Sequence, residues 1–270
     1  MKTLYYYVTL CTLILFAAFD SKGQSSYAVS IEGAGRVKSS FIDLSGNVLS
    51  GASSGNTFYL VKTNQIDGGE IFQRAYQFPN PSNLVDASMA SNGDYLFLFD
   101  QNLGGLNHNI IVVRLDQDGN MIWQNQYGGM ASRLFPEFVK SSPSGDIIFG
   151  GRYSNGNSFP FLGKLNGTGD LQFLKEYDEE YGYFKDVEFS AGNYFIVGTG
   201  GVQTFAGFFD SNGEPIVASI GYNGGGAARL NKVVKSGDGG FLAVGRESGV
   251  LGSDDLLISK YDQNGTHEWS

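Results

Sequence analysis

Short apolar runs, each closed by a glycine-centred polar turn, recur from about residue 36 to the end of the chain. Aligning one such turn gives LSGNVLSG (44–51), SNGDYLFLF (91–99), PSGDIIFGG (143–151), SAGNYFIVG (190–198) and GDGGFLAVG (237–245). The aligned glycines, Gly46, Gly93, Gly145, Gly192 and Gly239, are 47, 52, 47 and 47 residues apart. A second landmark follows in every unit, at Gly68, Gly119, Gly169, Gly213 and Gly265. Four residues beyond these stand Phe72, Trp123, Phe173, Val217 and Trp269. Two landmarks that keep register through five units mark a repeat protein, with units at about 36–77, 78–128, 129–177, 178–222 and 223–270.

Within a unit the pattern predicts four short strands, a to d. In the third these are EFVKSS, DIIFGGRY, FPFLGKLN and LQFLKEY, separated by turn signals. Four-stranded units of this length fit the blades of a β-propeller, so the expected fold is all-β. Asp118-Gly119 and Asn264-Gly265 then read as turn dipeptides between strands c and d. The aromatics that open strand d, Trp123 among them, are expected to pack between neighbouring blades. A calcium loop is the rival reading of LDQDGNMIW (115–123). It lacks the further spaced oxygens and the distal glutamate, and the units carrying GTGD and IDGG drop the first aspartate without losing the pattern.

Composition narrows the picture. Lys2 precedes an apolar run from Leu4 to Phe19, and Ser21 and Gly23 suit a cut before Gln24, so residues 1–23 read as a secretory signal peptide. Cys11, the only cysteine, lies inside that run; an exported chain would have neither disulfides nor thiolate chemistry and would depend on its apolar core. The chain carries 18 basic and 27 acidic residues with no basic cluster. That balance argues against nucleic acid or an anionic membrane as partner, and no transmembrane segment is expected after the signal. The expected location is extracellular, outer-surface or periplasmic.

GDGGFLAVG (237–245) with LLISKYDQNGTHEW (256–269), and LDQDGNMIWQNQYGG (115–129), resemble the bacterial secreted β-propeller repeat of the seven-bladed SBBP type. The resemblance extends over residues 25–270 and is weakest in the fourth unit, where FFDSNGEPIVASIGYN puts Val217 at the aromatic position. It implies export to the cell surface or medium, in many members through a carboxyl-terminal sorting domain of the type IX kind. Quinoprotein docking motifs need one more residue between Asp116 and Gly119, and sialidase Asp-boxes place the aromatic nearer the glycine. Neither fits. Tyr27–Glu32 aligns with a strand d that has no a–b–c before it. The expectation is an incomplete chain whose extra strand belongs to a later blade, seven being the count the resemblance implies.

His108 and His267, the only histidines, occupy different positions in their units, so neither a metal site nor a histidine triad is expected and no cofactor is assigned. NGGGAA (223–228) lacks the Lys-Ser/Thr and helix of a phosphate loop. Asp254 and Asp255 are adjacent and poorly placed to oppose one another across a substrate. Two leads remain on the side shared by the b–c loops and d–a connections. Just after strand b stand Asp100, Arg152 and Arg246, where other units carry Ala52 and Thr199; such charges at a channel mouth suit a polar or anionic ligand. The connector EYDEEYGYF (176–184) sets carboxylates beside Tyr181 and Tyr183, a composition suited to carbohydrate contact. The reading is a binding or interaction module for a glycan or surface protein, with no catalytic residue assigned. The alternatives are a carbohydrate-active enzyme of glycosidase or lyase type and a structural adhesin segment. An enzyme would need two carboxylates converging at about 5–9 Å.

Overall fold

The computed structural model describes residues 37–104, 107–128, 133–154, 156–178, 181–200, 203–220, 227–248 and 254–270. The signal segment and Tyr27–Glu32 lie outside the described residues. The chain forms five antiparallel four-stranded sheets, each a meander in chain order. The first runs β1 (Val37–Ile42), β2 (Val48–Ser54), β3 (Thr57–Thr63) and β4 (Glu70–Gln77). The second comprises β5 (Ser82–Met89), β6 (Tyr95–Asn102), β7 (His108–Leu115) and β8 (Met121–Tyr127). The third holds β9 (Arg133–Ser141), β10 (Ile147–Ser154), β11 (Ser158–Leu165) and β12 (Leu171–Glu176). In the fourth are β13 (Tyr183–Ser190), β14 (Asn193–Gly200), β15 (Gln203–Phe209) and β16 (Pro215–Ile220). The last contains β17 (Ala228–Lys235), β18 (Phe241–Ser248), β19 (Asp254–Tyr261) and β20 (His267–Trp269).

These sheets are propeller blades. The first strand of each is innermost: β1 lies against β5, β5 against β9, β9 against β13 and β13 against β17. A central blade is covered by neighbours on both faces, so its middle strands carry continuous apolar runs, Tyr95–Phe99 and Ile110–Val113, instead of alternating, and β6 and β7 are almost wholly buried. Leu96, Leu98, Ile110 and Val112 of the second blade thus share one core with Val139, Phe149, Phe161 and Leu165 of the third.

Trp123 packs against that core as expected, lying over the c–d turn of the next blade. Gly169 there has φ +87°, and a Cβ on it would stand 3.1 Å from the Trp123 ring, so both backbone shape and space require glycine. The Tyr127 hydroxyl donates to the Gly169 carbonyl at 2.6 Å. Tyr76 and Tyr177 make the same bond to Gly119 and Gly213, at 2.5 and 2.6 Å. In the fourth blade the aromatic has moved one strand inward: Phe208, paired across the sheet with Val217, packs at Gly265.

Trp269 departs from the expectation. It pairs with Lys260 just as Trp123 pairs with Arg114, yet it is 51% exposed. The hairpin is copied but its surroundings are not, because no following sheet covers Trp269 among the described residues. The same blade leaves Leu256 75% exposed, where its counterpart Ile110 is fully buried.

The turns account for the acidic landmark. Asp116 Oδ1 accepts the backbone N–H groups of Asp118 and Asn120 at 2.9 and 2.8 Å, and its Oδ2 accepts the Asn120 amide at 2.9 Å. Asp210 and Asp262 hold their turns through the same pair of backbone donors. These carboxylates are spent on their own hairpins. Despite some burial, the Asn120 amide and backbone donors keep the Asp116 carboxyl below its ordinary pKa. The N–H groups of Glu214 and Thr266 do the same for Asp210 and Asp262.

A repeated ion pair braces this end of the blade. Lys62, Arg114, Lys164 and Lys260 lie opposite Phe72, Trp123, Phe173 and Trp269. They reach back to Asp43, Asp94, Asp146 and Asp238 at the a–b turns, at 2.8, 2.7, 3.0 and 2.9 Å. The Lys62 ammonium also donates to the Tyr95 hydroxyl at 3.0 Å.

Candidate functional site

The innermost strands share one irregularity that sequence alone did not reveal. Each carries a β-bulge at the same height, with Lys38, Val85, Glu137, Lys185 and Asn231 as the extra residues. A bulge bends the strand and re-aims a side chain. In the third and fourth blades it places Glu137 and Lys185 in a cleft of about 390 Å³ at the loop end, where their side chains meet at 2.5 Å. The cleft is lined also by Arg152, Tyr183, Thr199, Ala227, Ala228 and Arg229, so three consecutive blades contribute.

Its cations differ from those at the turn end. The Arg152 guanidinium lies 3.8 Å over the Phe135 ring and 5.3 Å from the Tyr183 ring. Its only hydrogen bond among the described residues is to Ser158 Oγ, at 3.4 Å. Nearby, Arg133 lies 4.6 Å from the same Phe135 ring, and its Nε is buried without an acceptor. The Arg229 side chain has no hydrogen-bond or ion-pair partner among the described residues. It stands directly opposite Arg246 across β17 and β18, and like charges so placed repel.

Deeper on the axis the polar groups are occupied. Asp86 Oδ2 accepts the Val139 N–H, and Asp186 Oδ2 the Val233 N–H, both at 3.0 Å, each pinning the innermost strand of the next blade just past its bulge. Lys140 Nζ donates to the Val187 carbonyl at 2.6 Å and lies 3.3 Å from Asp186 Oδ1. Lys232 Nζ is 3.8 Å from both Asp86 Oδ1 and Asp186 Oδ1. Burial pushes the Asp86 carboxyl up despite Lys232. Against the effect of burial, Asp186, Asp86 and Glu137 hold the Lys232 ammonium above its ordinary value. These two carboxylates flank one ammonium and hold backbone, so they act as pins between blades. Among the described residues lining the cleft, Glu137 is the single carboxylate. The arrangement suits recognition of an anion.

Of the residues singled out in sequence, Arg152 and Tyr183 come together in the cleft. Asp100 lies one blade away and supports it at second hand. Its Oδ1 is 2.6 Å from His108 Nδ1, and the His108 ring stacks toward Phe135 at 6.4 Å, on the ring that carries Arg152. Arg246 pairs with Asp254 of its own sheet and adjoins the cleft through Arg229. Tyr181 is directed into the core, with its ring 6.0 Å from Tyr177 and 5.9 Å from Phe205. The register puts Ser53, not Ala52, in line with Asp100 and Arg152; its Oγ accepts the Leu84 N–H at 2.9 Å. Glu137, Lys185 and Arg229 stand on innermost strands, away from the end of strand b where the sequence pattern marks charge. An alignment of the innermost strands sets Glu137 level with Lys185, whereas Arg229 falls level with Phe135 and Tyr183.

No protein-family model matches the chain, and no curated protein does. Solved structures do. A putative 6-phosphogluconolactonase from Bacteroides fragilis superposes with a TM-score of 0.61 at 13% identity, over 89% of this chain and 71% of that one. A protein of unknown function from Bacteroides caccae gives 0.59 at 12%, over 88% and 82%. The Dos1 propeller gives 0.58 at 12%, over 86% of this chain and 59% of its own length. At such identities the likeness establishes the fold alone: the chain is a β-propeller of four-stranded blades.

Proposed function

We propose that this chain is an exported binding module whose ligand site is the loop-end cleft of the third, fourth and fifth blades, and that its ligand carries an anionic group. One observation carries the reading. In an acidic chain of net charge −9, Arg152 and Arg229 line this cleft with no carboxylate partner among the described residues, and Arg133 lies against the same Phe135 ring as Arg152. Unpaired guanidiniums close together cost stability, and departures of that kind concentrate at functional sites. The side chains stand on strands braced from blade to blade, so binding needs little reorganisation. The signal-like segment 1–23 and the resemblance to exported SBBP-type repeats support action outside the cytoplasm or at the cell surface. A glycosidase or lyase reading has less support, since among the described residues the cleft offers one carboxylate and Lys185 already holds it.

The test is a thermal-shift panel of anionic and neutral saccharides and small anions at constant ionic strength. Ligands that raise the unfolding temperature should be anionic, and Arg152→Ala/Arg229→Ala should abolish the shift. Hits that are neutral, or that survive this double substitution, would overturn the proposal.

A further inference from the structure

Resting on that reading, we infer that the ligand is an acidic saccharide held through a hexuronic-acid residue, its carboxylate taken by Arg152 and Arg229 and its ring lying against Tyr183. Size speaks first. A cleft of about 390 Å³ is in the range used for small organic ligands and is roomy for a bare sulfate or phosphate. The ligand therefore has a body as well as a charge.

The lining says what kind of body. Tyr183, Ala227 and Ala228 give the lining apolar surface, which the C–H face of a pyranose ring can cover and a small inorganic anion does not use. Glu137 gives Oε1 to Lys185. Its Oε2 has no donor among the described residues, so it can accept from a sugar hydroxyl. That carboxylate also selects against a densely sulfated or phosphorylated chain, which would bring several negative charges beside it. A single carboxylate amid hydroxyls satisfies both halves of the cleft. The guanidinium plane matches it, since two parallel N–H groups meet the two oxygens of a carboxylate.

The experiment is calorimetric titration of the mature chain with tri- and tetrasaccharides of galacturonate, mannuronate and glucuronate-containing type, the methyl ester of each, polyglutamate and inorganic sulfate, all at one ionic strength. At least one uronate should bind with one-to-one stoichiometry, and its methyl ester at least tenfold more weakly. Tyr183→Ala should weaken it about tenfold or more. Arg152→Lys, which keeps the charge and loses the fork, should weaken it several-fold while the circular dichroism spectrum stays unchanged. If sulfate or polyglutamate binds as tightly through Arg152 and Arg229, and Tyr183→Ala leaves that binding intact, the saccharide inference is overturned while the anion site stands. If no anion binds in an Arg152- and Arg229-dependent way, both fall.

Discussion

The two ends of the blades treat charge in opposite ways. At the end formed by the a–b and c–d turns, Lys62, Arg114, Lys164 and Lys260 each meet an aspartate of their own blade within 3.0 Å, and the tyrosines that close strand d bond to the next blade's turn carbonyl. At the loop end, Arg152 rests on an aromatic ring and Arg229 faces another arginine. Paired charge there belongs to construction; the loop end has pairs too, Glu137 with Lys185 and Arg246 with Asp254, but it also keeps Arg152 and Arg229 beside a cleft with no carboxylate partner among the described residues. The difference separates what holds the propeller together from what it can hold.

Substitutions at the two ends should have unequal costs. The largest effect should come from Lys62→Met. Lys62 and Asp43 side chains are only 10% and 5% exposed, and removing one partner of such a pair strands the other, so urea unfolding should show a loss of about 3 kcal/mol. Arg152→Met, at the other end, gives up mainly its contact with Phe135 and should lose no more than about 1 kcal/mol. Equal losses would erase the distinction. Tyr127→Phe comes next, leaving the Gly169 carbonyl only the Asn125 amide at 3.1 Å, at a cost of about 1 kcal/mol read as a lower unfolding temperature.

Acid should loosen the turn end. The folded-state pKa values of Asp116, Asp210 and Asp262 lie below their ordinary values, so their contribution is complete above the unfolded carboxylate pKa of about 3.9 and is lost as pH falls through the folded values. Unfolding midpoints should therefore drop as pH falls below about 4, and Asp262→Asn should flatten that drop slightly. A midpoint that rises over this range would contradict the assignment.

Much of the fold was legible because each blade repeats its turn chemistry in sequence. The glycines with positive φ at 46, 93, 145, 192 and 239 are those that alignment selected. The move of the fourth aromatic from the Val217 position to Phe208 was not legible, because it is a contact across two strands and the alignment follows one. Nor did sequence foresee that Trp269 would be half exposed; a landmark fixes its own hairpin and is silent about its neighbour. The cleft was only half visible. Arg152 and Tyr183 stand out as charge and ring near loops, whereas Glu137 and Lys185 reach it through bulges, and a bulge changes register without a fixed residue signature. Tyr181, two residues from Tyr183, shows the limit most plainly, since a ring in a connector can turn inward to Phe205.

The most direct test of the division between the two ends is the unfolding free energy of Arg229→Gln in the absence of ligand. Removing a charge that faces Arg246 should leave stability unchanged or raise it by up to about 1 kcal/mol. A loss approaching that of Lys62→Met would show that Arg229 braces the fold, and the account of the cleft as a site held ready for an anion would be contradicted.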